Sequence, residues 1–382
     1  MVPAPKAAAD EVFQFRPAFQ QMRSRLQERW STSLVVLGAL CSSLPCDAKT
    51  IWEVGKDQGH IDIYQELPTP QEFYTKFVRD KGGQFGKIGR PALFKGAAKQ
   101  MPAYKLWTDD YLKQKHGKVK MDQVETEKKE TRGKLPFEDW TLGKFLDRYN
   151  ASDIYSTAQT PKGISDEVYL LPPMNCGGFT KRLGSTVLWF SSGGTKSVIH
   201  NDGQQNFHCI FDGGKDWVLW EPTAPIGTRE LGWINGEEEA KRDPKFKDTY
   251  GTFAGLVDPD NMDTEKFPGW EELRWWRLHM EAGDCAYLPP KWYHFVESPP
   301  HRSVTVHVWF DAAAKFDQKS CEALEADGYT LSDYLYRIGD CSWGHEQGSR
   351  KATKCRLKEP LSPEGVPRKT KTSAATPTSA EL

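Results

Sequence analysis

The stretch SVIHNDGQQNF, Ser197 to Phe207, sets a histidine, an aspartate, two glutamines and two asparagines among apolar residues. Either it is a polar surface turn or its side chains converge on something, and its neighbours decide. Upstream, STVLWF (185–190) has the composition of a strand and runs into Gly193-Gly194, a turn. Downstream, NFHCIF (206–211) and DWVLWEP (216–222) read as two antiparallel strands joined across Gly213-Gly214. Residues i and i+2 of a strand share a face, so His200 and Asp202 project together. The return strand brings Lys215, thirteen residues after Asp202, back over the same space. A lysine turned into a barrel is costly unless an anion compensates it.

One imidazole and one carboxylate on one face are two thirds of the facial triad that binds non-haem iron(II). The third ligand has to come from a distant strand. GDCAYLPPKWYHFVES (283–298) runs from a Gly-Asp turn through an apolar strand to a Pro-Pro corner, and reaches His294 between aromatic residues. His279, His301 and His345 have loop-like surroundings, and His60 and His116 precede the strand-rich region. Ser197 and Asn206 flank the metal pair and offer polar contacts to the same ligand.

Strand signals dominate from about 167 to 312, including VYLLP near 170 and SVTVHVWF at 303–310. Before them, residues 49 to 117 read as mixed α/β, with PALFKGA as a strand entering a turn. TDDYLKQK starts a helix capped by Thr108 or Asp109. DWTLGKFLDRY has helical periodicity with Leu142, Phe145, Leu146 and Tyr149 on one face. Residues 118 to 134 are charged and nearly free of apolar side chains. They read as a solvated loop or exposed hairpin, with a functional charge patch as the alternative. Residues 223 to 275 form an acidic and aromatic interruption. The domain is expected to span 49–345, with 346–382 a basic, disordered tail.

Net charge is −1, so no global basic field points to nucleic acid. Residues 1–48 are a polar extension plus a signal-like segment. Arg23, Arg25 and Arg29 precede the segment 31–48, which holds an apolar run of about ten residues at 32–41 followed by small residues. That pattern points to the secretory pathway, with cytoplasm or nucleus as the alternative. The run is too short for a transmembrane span. Asn150-Ala151-Ser152 is a glycosylation sequon usable only after secretion. Six cysteines follow position 48, an even number compatible with disulfides, and no Cys-x-x-Cys pair suggests zinc. Cys209 and Cys285 fall in strand-like runs and read as plain core residues.

In combination, these motifs resemble those of the JmjC (cupin-like) 2-oxoglutarate oxygenases over about residues 85 to 312. The resemblance is to the branch that holds the asparaginyl hydroxylase of hypoxia-inducible factor and the lysyl and arginyl hydroxylases. It implies a mainly β fold with flanking helices, the double-stranded β-helix or jelly roll. It further implies that His200, Asp202 and His294 ligate iron(II). Lys215, helped by Ser197, would bind the distal carboxylate of 2-oxoglutarate, with Asn206 near it. His307 stands where the asparaginyl hydroxylase has asparagine, and Tyr169 is a candidate phenol for the co-substrate. Three ligands leave three positions on octahedral iron, two for 2-oxoglutarate and one for dioxygen. The implied reaction decarboxylates 2-oxoglutarate to succinate and hydroxylates a side chain.

The resemblance implies a protein substrate with a lysyl, arginyl or asparaginyl target, and it allows a homodimer. Glu237, Glu238 and Glu239 in the 223–275 segment favour a basic peptide. Two further activities stay open: demethylation of methyl-lysine, and oxidation of a tRNA base. For the latter, the basic tail (Arg350, Lys351, Lys354, Arg356, Lys358) could contact phosphates. A jelly-roll binding protein without catalysis is the third alternative.

Overall fold

The structure, a computed structural model, describes residues 49–80, 83–133, 138–311, 314–322 and 330–331. The signal-like segment, His345, Cys341, Cys355 and the basic tail lie outside the described residues. Among the described residues, no helix is long and apolar enough to cross a membrane.

Among the described residues, seventeen strands follow in chain order. The first eight are β1 (Lys56–His60), β2 (Asp62–Tyr64), β3 (Ala92–Phe94), β4 (Lys120–Met121), β5 (Val124–Glu125), β6 (Trp140–Thr141), β7 (Tyr155–Gln159) and β8 (Leu183–Ser191). The others are β9 (His200–Asn201), β10 (Gln205–Asp212), β11 (Gly214–Trp220), β12 (Ile234–Asn235), β13 (Thr252–Phe253), β14 (Arg274–Glu281), β15 (Cys285–Leu288), β16 (Tyr293–Glu297) and β17 (Ser303–Phe310). They form an eight-stranded sheet, β2-β3-β15-β10-β17-β8-β7-β5, and a five-stranded sheet, β1-β14-β11-β16-β9. From β8 to β11, and again from β14 to β17, the chain alternates between the two sheets, the winding of a double-stranded β-helix. The strand region begins earlier than the sequence suggests, because β5 and β7 extend the larger sheet.

Three apolar clusters hold the layers. On the outer face of the larger sheet, Phe73, Phe145 and Tyr149 from the flanking helical segments meet Phe190, Phe207 and Tyr287. Between the sheets, Ile210, Ala286 and Leu288 meet Trp217, Leu278 and Met280 and fill one end of the barrel. Behind the smaller sheet, Trp220, Trp270 and Trp275 pin down much of the 223–275 interruption. Each tryptophan hides about 150–250 Å², worth at most roughly 4–6 kcal/mol of transfer free energy. That packing fixes a segment with little regular structure.

Helix starts follow the sequence: the helix Asp109–His116 is capped by Thr108, whose side chain accepts from the Tyr111 amide. The helix at Leu142–Leu146 is short, and Leu142, Phe145 and Tyr149 are buried while Leu146 is only partly so. Three readings need correction. VYLLP is not a strand: it lies between two 3-10 turns and makes one isolated bridge, Tyr169 to Thr330. β10 and β11 are not a hairpin, since they lie in different sheets and do not pair. The chain turns the corner at Gly213, at φ +76°, where an added Cβ would meet the Arg302 carbonyl at 2.2 Å. Cys209 and Cys285 are not plain core residues either. They face each other in register on β10 and β15 and are joined as a disulfide, and Cys176 is joined to Cys321.

Candidate metal centre and its cavity

β9 pairs antiparallel with β16, and His200 stands directly opposite His294. Gly193, at φ +87°, makes the preceding turn, where a Cβ would meet the Pro299 and His301 carbonyls at 2.2 Å. Asp202 follows β9 immediately, and its backbone carbonyl accepts from the Lys291 amide (2.7 Å) at the Pro-Pro corner. The two turns thus place three ligand-type side chains at the open end of the barrel. Their donor atoms all lie within 4.8 Å of one another.

The donor set fits a divalent metal on this geometry. His200 Nδ1 lies 2.8 Å from the Val198 carbonyl, and His294 Nδ1 lies 3.0 Å from that of Trp292. Each carbonyl fixes the proton on Nδ1, so Nε2 faces the cluster as a neutral ligand. Trp309 Nε1 donates to Asp202 Oδ2 at 3.3 Å, and His294 Nε2 lies 3.9 Å from the same oxygen. Burial, and then the nearness of His200, push His294 well below the usual imidazole range. Burial opposes the charge of Asp202, but His200 and His294 outweigh it and hold the carboxyl low. A carboxylate and two imidazoles that present Nε2 are the donor set a metal site of this kind needs.

The cluster opens into a cavity of ≈400 Å³. At its deep end is Lys215, only 7% exposed, donating to Ser298 Oγ at 3.0 Å. Ser298 in turn shares a hydrogen bond with Thr195 Oγ1 (2.8 Å). Burial draws the Lys215 ammonium down to about 8, and no carboxylate pairs with it among the described residues. His307 lines the same space beside His208, its register partner across β10 and β17, with ring centroids 3.7 Å apart. None of the four ring nitrogens has a hydrogen-bond partner. Burial pushes both imidazoles well below their usual range.

The sequence-derived site residues are mostly here. His200, Asp202 and His294 converge, and Lys215, Ser197 and His307 line the cavity. Ser197 Oγ accepts from the Val296 amide (2.9 Å), while the hydroxyl that meets the lysine is Ser298. Asn206 is buried on β10, with neither end of its amide hydrogen-bonded. Tyr169 is not part of the site: at 37% exposed it sits on the outer bridge to Thr330, because its segment never enters the sheet. The cavity phenols are Tyr155 on β7 and Tyr250. Glu237, Glu238 and Glu239 do not line the cavity. Glu239 is buried against Arg229 (2.6 and 3.0 Å), Glu238 pairs with Lys241, and Glu237 accepts from the Gly251 amide.

Besides Asp202, the carboxylates that reach the cavity come from the charged 118–134 stretch, as Asp122, Glu125 and Glu130, together with Arg132. That stretch is no free loop. Glu130 N donates to the Lys196 carbonyl, and Lys196 N to that of Lys128, both at 2.8 Å. Glu130 Oε2 accepts from the Val198 amide (3.1 Å), two residues before His200. The Arg132 guanidinium pairs with Glu130 at 2.7 Å and lies 6.0 Å over the Tyr250 ring. His208 was legible, being two residues from Asn206 on one strand. The Arg132–Glu130 pair had no signal beyond charge.

Residues 83–316 match the cupin-like domain family. The match covers more than half of the chain, which belongs to that family, the one that holds the JmjC oxygenases. Among curated relatives, a Jumonji C domain-containing protein 5 from Drosophila melanogaster is 29% identical over 32% of this chain and 27% of its own length. The lysine-specific demethylase JMJ31 of Arabidopsis thaliana is 25% identical over 58% of this chain and 46% of its own. The human bifunctional peptidase and (3S)-lysyl hydroxylase JMJD7 is 22% identical over 66% of this chain and 84% of its own. The chain thus spans about a quarter to a half of the first two relatives.

Proposed function

We propose that the protein is an iron(II)- and 2-oxoglutarate-dependent dioxygenase that hydroxylates a side chain of a protein substrate. The observation that carries this reading is one cavity holding a His-Asp-His cluster and a buried lysine that pairs with no carboxylate among the described residues. His200 and His294 through Nε2, and Asp202 through its carboxylate, hold the iron. Bound iron with 2-oxoglutarate supplies the oxidation of substrate by dioxygen, with succinate and carbon dioxide as co-products. Lys215 receives the distal carboxylate, and Ser298 and Thr195 keep its ammonium aimed inward. Ser197, His208 and His307 offer polar atoms along the same wall, and the unbonded amide of Asn206 lies buried on the same strand as His208. Trp309 orients Asp202, and Trp217 and Trp189 exclude water around the reacting groups. The reactions named for the relatives, lysyl hydroxylation and lysine demethylation, belong to one oxidative class and support the reading.

The test is succinate formation from 2-oxoglutarate, with iron and dioxygen withdrawn in turn, coupled to mass spectrometry of captured partner proteins. Succinate dependent on both, with a +16 Da product, is the expected result. Failure of the iron-loaded, oxygen-free protein to bind 2-oxoglutarate would overturn it.

A further inference from the structure

All four described cysteines are cross-linked, Cys176 to Cys321 and Cys209 to Cys285. The second pair joins β10 to β15 in register, where the ladder of the sheet already holds both strands. The first pair holds what the core does not. It ties the turn after Met174 to the helix Gln318–Glu322, five residues long with none of them buried. A helix that short has no stability of its own. Gly177 N donates to Ser320 Oγ (2.8 Å) and Asp317 N to the Gly177 carbonyl (3.1 Å), and the covalent bond completes that staple. Structural cross-links of this kind persist in oxidising compartments, whereas thiols are kept reduced in the cytosol and nucleus.

A second feature has meaning only in such a compartment. Asn150-Ala151-Ser152 is the one Asn-x-Ser/Thr sequon of the chain. It lies in the turn between the helix Leu142–Leu146 and β7, with Asn150 and Ala151 exposed and Ser152 half-buried. The turn is held by its backbone and by Tyr149. Ala151 N donates to the Arg148 carbonyl (3.0 Å), the Tyr149 ring is buried, and the Tyr149 carbonyl accepts from Ser192 Oγ (3.1 Å). A sugar chain on Asn150 therefore displaces no packed group. Nor does it crowd the metal cluster. Ser192 follows the last residue of β8, whereas Trp309, which donates to Asp202, stands opposite Ser185 near the start of that strand. From Ser185 to Ser191 β8 rises about 20 Å, so the sequon and the cluster belong to opposite ends of the strand. Residues 31–48, read from sequence alone, have the order of an export signal and call for the same compartment.

We propose that the protein folds in an oxidising lumen and carries an N-linked glycan on Asn150, with both disulfides part of its mature form. The Asn150 amide nitrogen bonds to the anomeric carbon of an oligosaccharide and loses a proton, and the lipid diphosphate that carried the sugar leaves. Each cystine forms as a pair of thiols gives its protons and an electron pair to the disulfide of a thiol oxidoreductase, which becomes a dithiol. Neither modification depends on the oxygenase reading.

The test uses protein purified from its own cells, with free thiols blocked by N-ethylmaleimide at lysis. Digestion without reductant and mass spectrometry should show Cys176 linked to Cys321 and Cys209 linked to Cys285. The peptide that holds Asn150 should be seen only after treatment with peptide N-glycosidase, with heavy oxygen incorporated at position 150 when the treatment is done in labelled water. Ser152→Ala, expressed in the same cells, should lose the glycan and keep both cross-links. An Asn150 peptide found mainly unmodified, N-ethylmaleimide found mainly on any of the four cysteines, or a glycan that survives Ser152→Ala would overturn the proposal.

Discussion

The two ends of the cavity are made from opposite kinds of sequence. At the deep end, Lys215, His208 and His307 interrupt apolar strands. At the mouth, Asp122, Glu125, Glu130 and Arg132 sit in a stretch where nearly every neighbour is also charged or polar. A lone polar group among β-formers stands out because burying it without a partner costs several kcal/mol, so its presence calls for a ligand. A carboxylate in a charged run has no such contrast, because solvent is the default partner for all of them. The fold alone tells Glu125 and Glu130, which face the cavity, from Glu127, which is exposed.

If the deep end is a metal and co-substrate site, it should break in graded steps. The largest effect is expected from His200→Ala. Loss of a partner one bond removed from a metal costs about 10–100-fold, so loss of the ligand itself should weaken manganese or iron binding by more than that. Turnover should disappear while the fold persists. Metal titration followed by circular dichroism checks both, and tight metal binding by the variant would show that the cluster is not the centre.

Lys215→Ala comes next. Breaking one side of a buried charge pair costs roughly 3–5 kcal/mol, or on the order of a hundred- to several-thousand-fold in 2-oxoglutarate affinity. Metal affinity should hold, which separates this effect from the first. The same lysine sets a pH dependence. Burial draws its ammonium down to about 8 in the ligand-free protein, and a bound dianion raises it. Binding therefore favours the protonated form. Affinity should be flat below about pH 8 and fall by up to about tenfold per unit above it. Calorimetry on the metal-loaded protein reads this, and an affinity unchanged from pH 7 to 9.5 would place the co-substrate elsewhere.

Ser298→Ala is the smallest step. It removes the hydroxyl that accepts from Lys215 and bridges to Thr195. A hydrogen bond to a charged group contributes about 1.5–3 kcal/mol, part of which a bound carboxylate replaces. A fall of roughly three- to tenfold in 2-oxoglutarate affinity is expected. The corresponding change at Ser197, whose hydroxyl accepts from the Val296 amide, provides the contrast. A larger loss from Ser197→Ala would return the supporting role to the residue suggested by sequence.

Much of this architecture could be read from the chain. The strands around His200, Lys215, His294 and His307 fall where composition and turn residues put them, and the three ligand-type side chains converge. What could not be read is non-local. His200 and His294 meet because β9 pairs with β16, a register no spacing encodes. Lys215 reaches the cavity by a corner between sheets, which looks like a hairpin in one dimension. Tyr169 was misplaced because VYLLP has strand composition, while the chain there follows the geometry of Pro172 and Pro173. Ser298 escaped notice because a serine ending a strand is ordinary until a lysine is found against it.

The two disulfides also fix the covalent topology of the site. The Cys176–Cys321 bond closes a ring of 145 steps along the chain, and the Cys209–Cys285 bond closes a smaller ring of 76 steps wholly inside it. Lys215 belongs to the inner ring. His200 and Asp202 lie on the outer ring just before the inner one begins, and His294 lies just after it ends. The inner bond thus shortcuts the path between the two sides of the cluster, from ninety-odd residues to fewer than twenty. When the sheets melt, the three ligand side chains remain on one short covalent circuit, and the unfolded chain has correspondingly less freedom to scatter them.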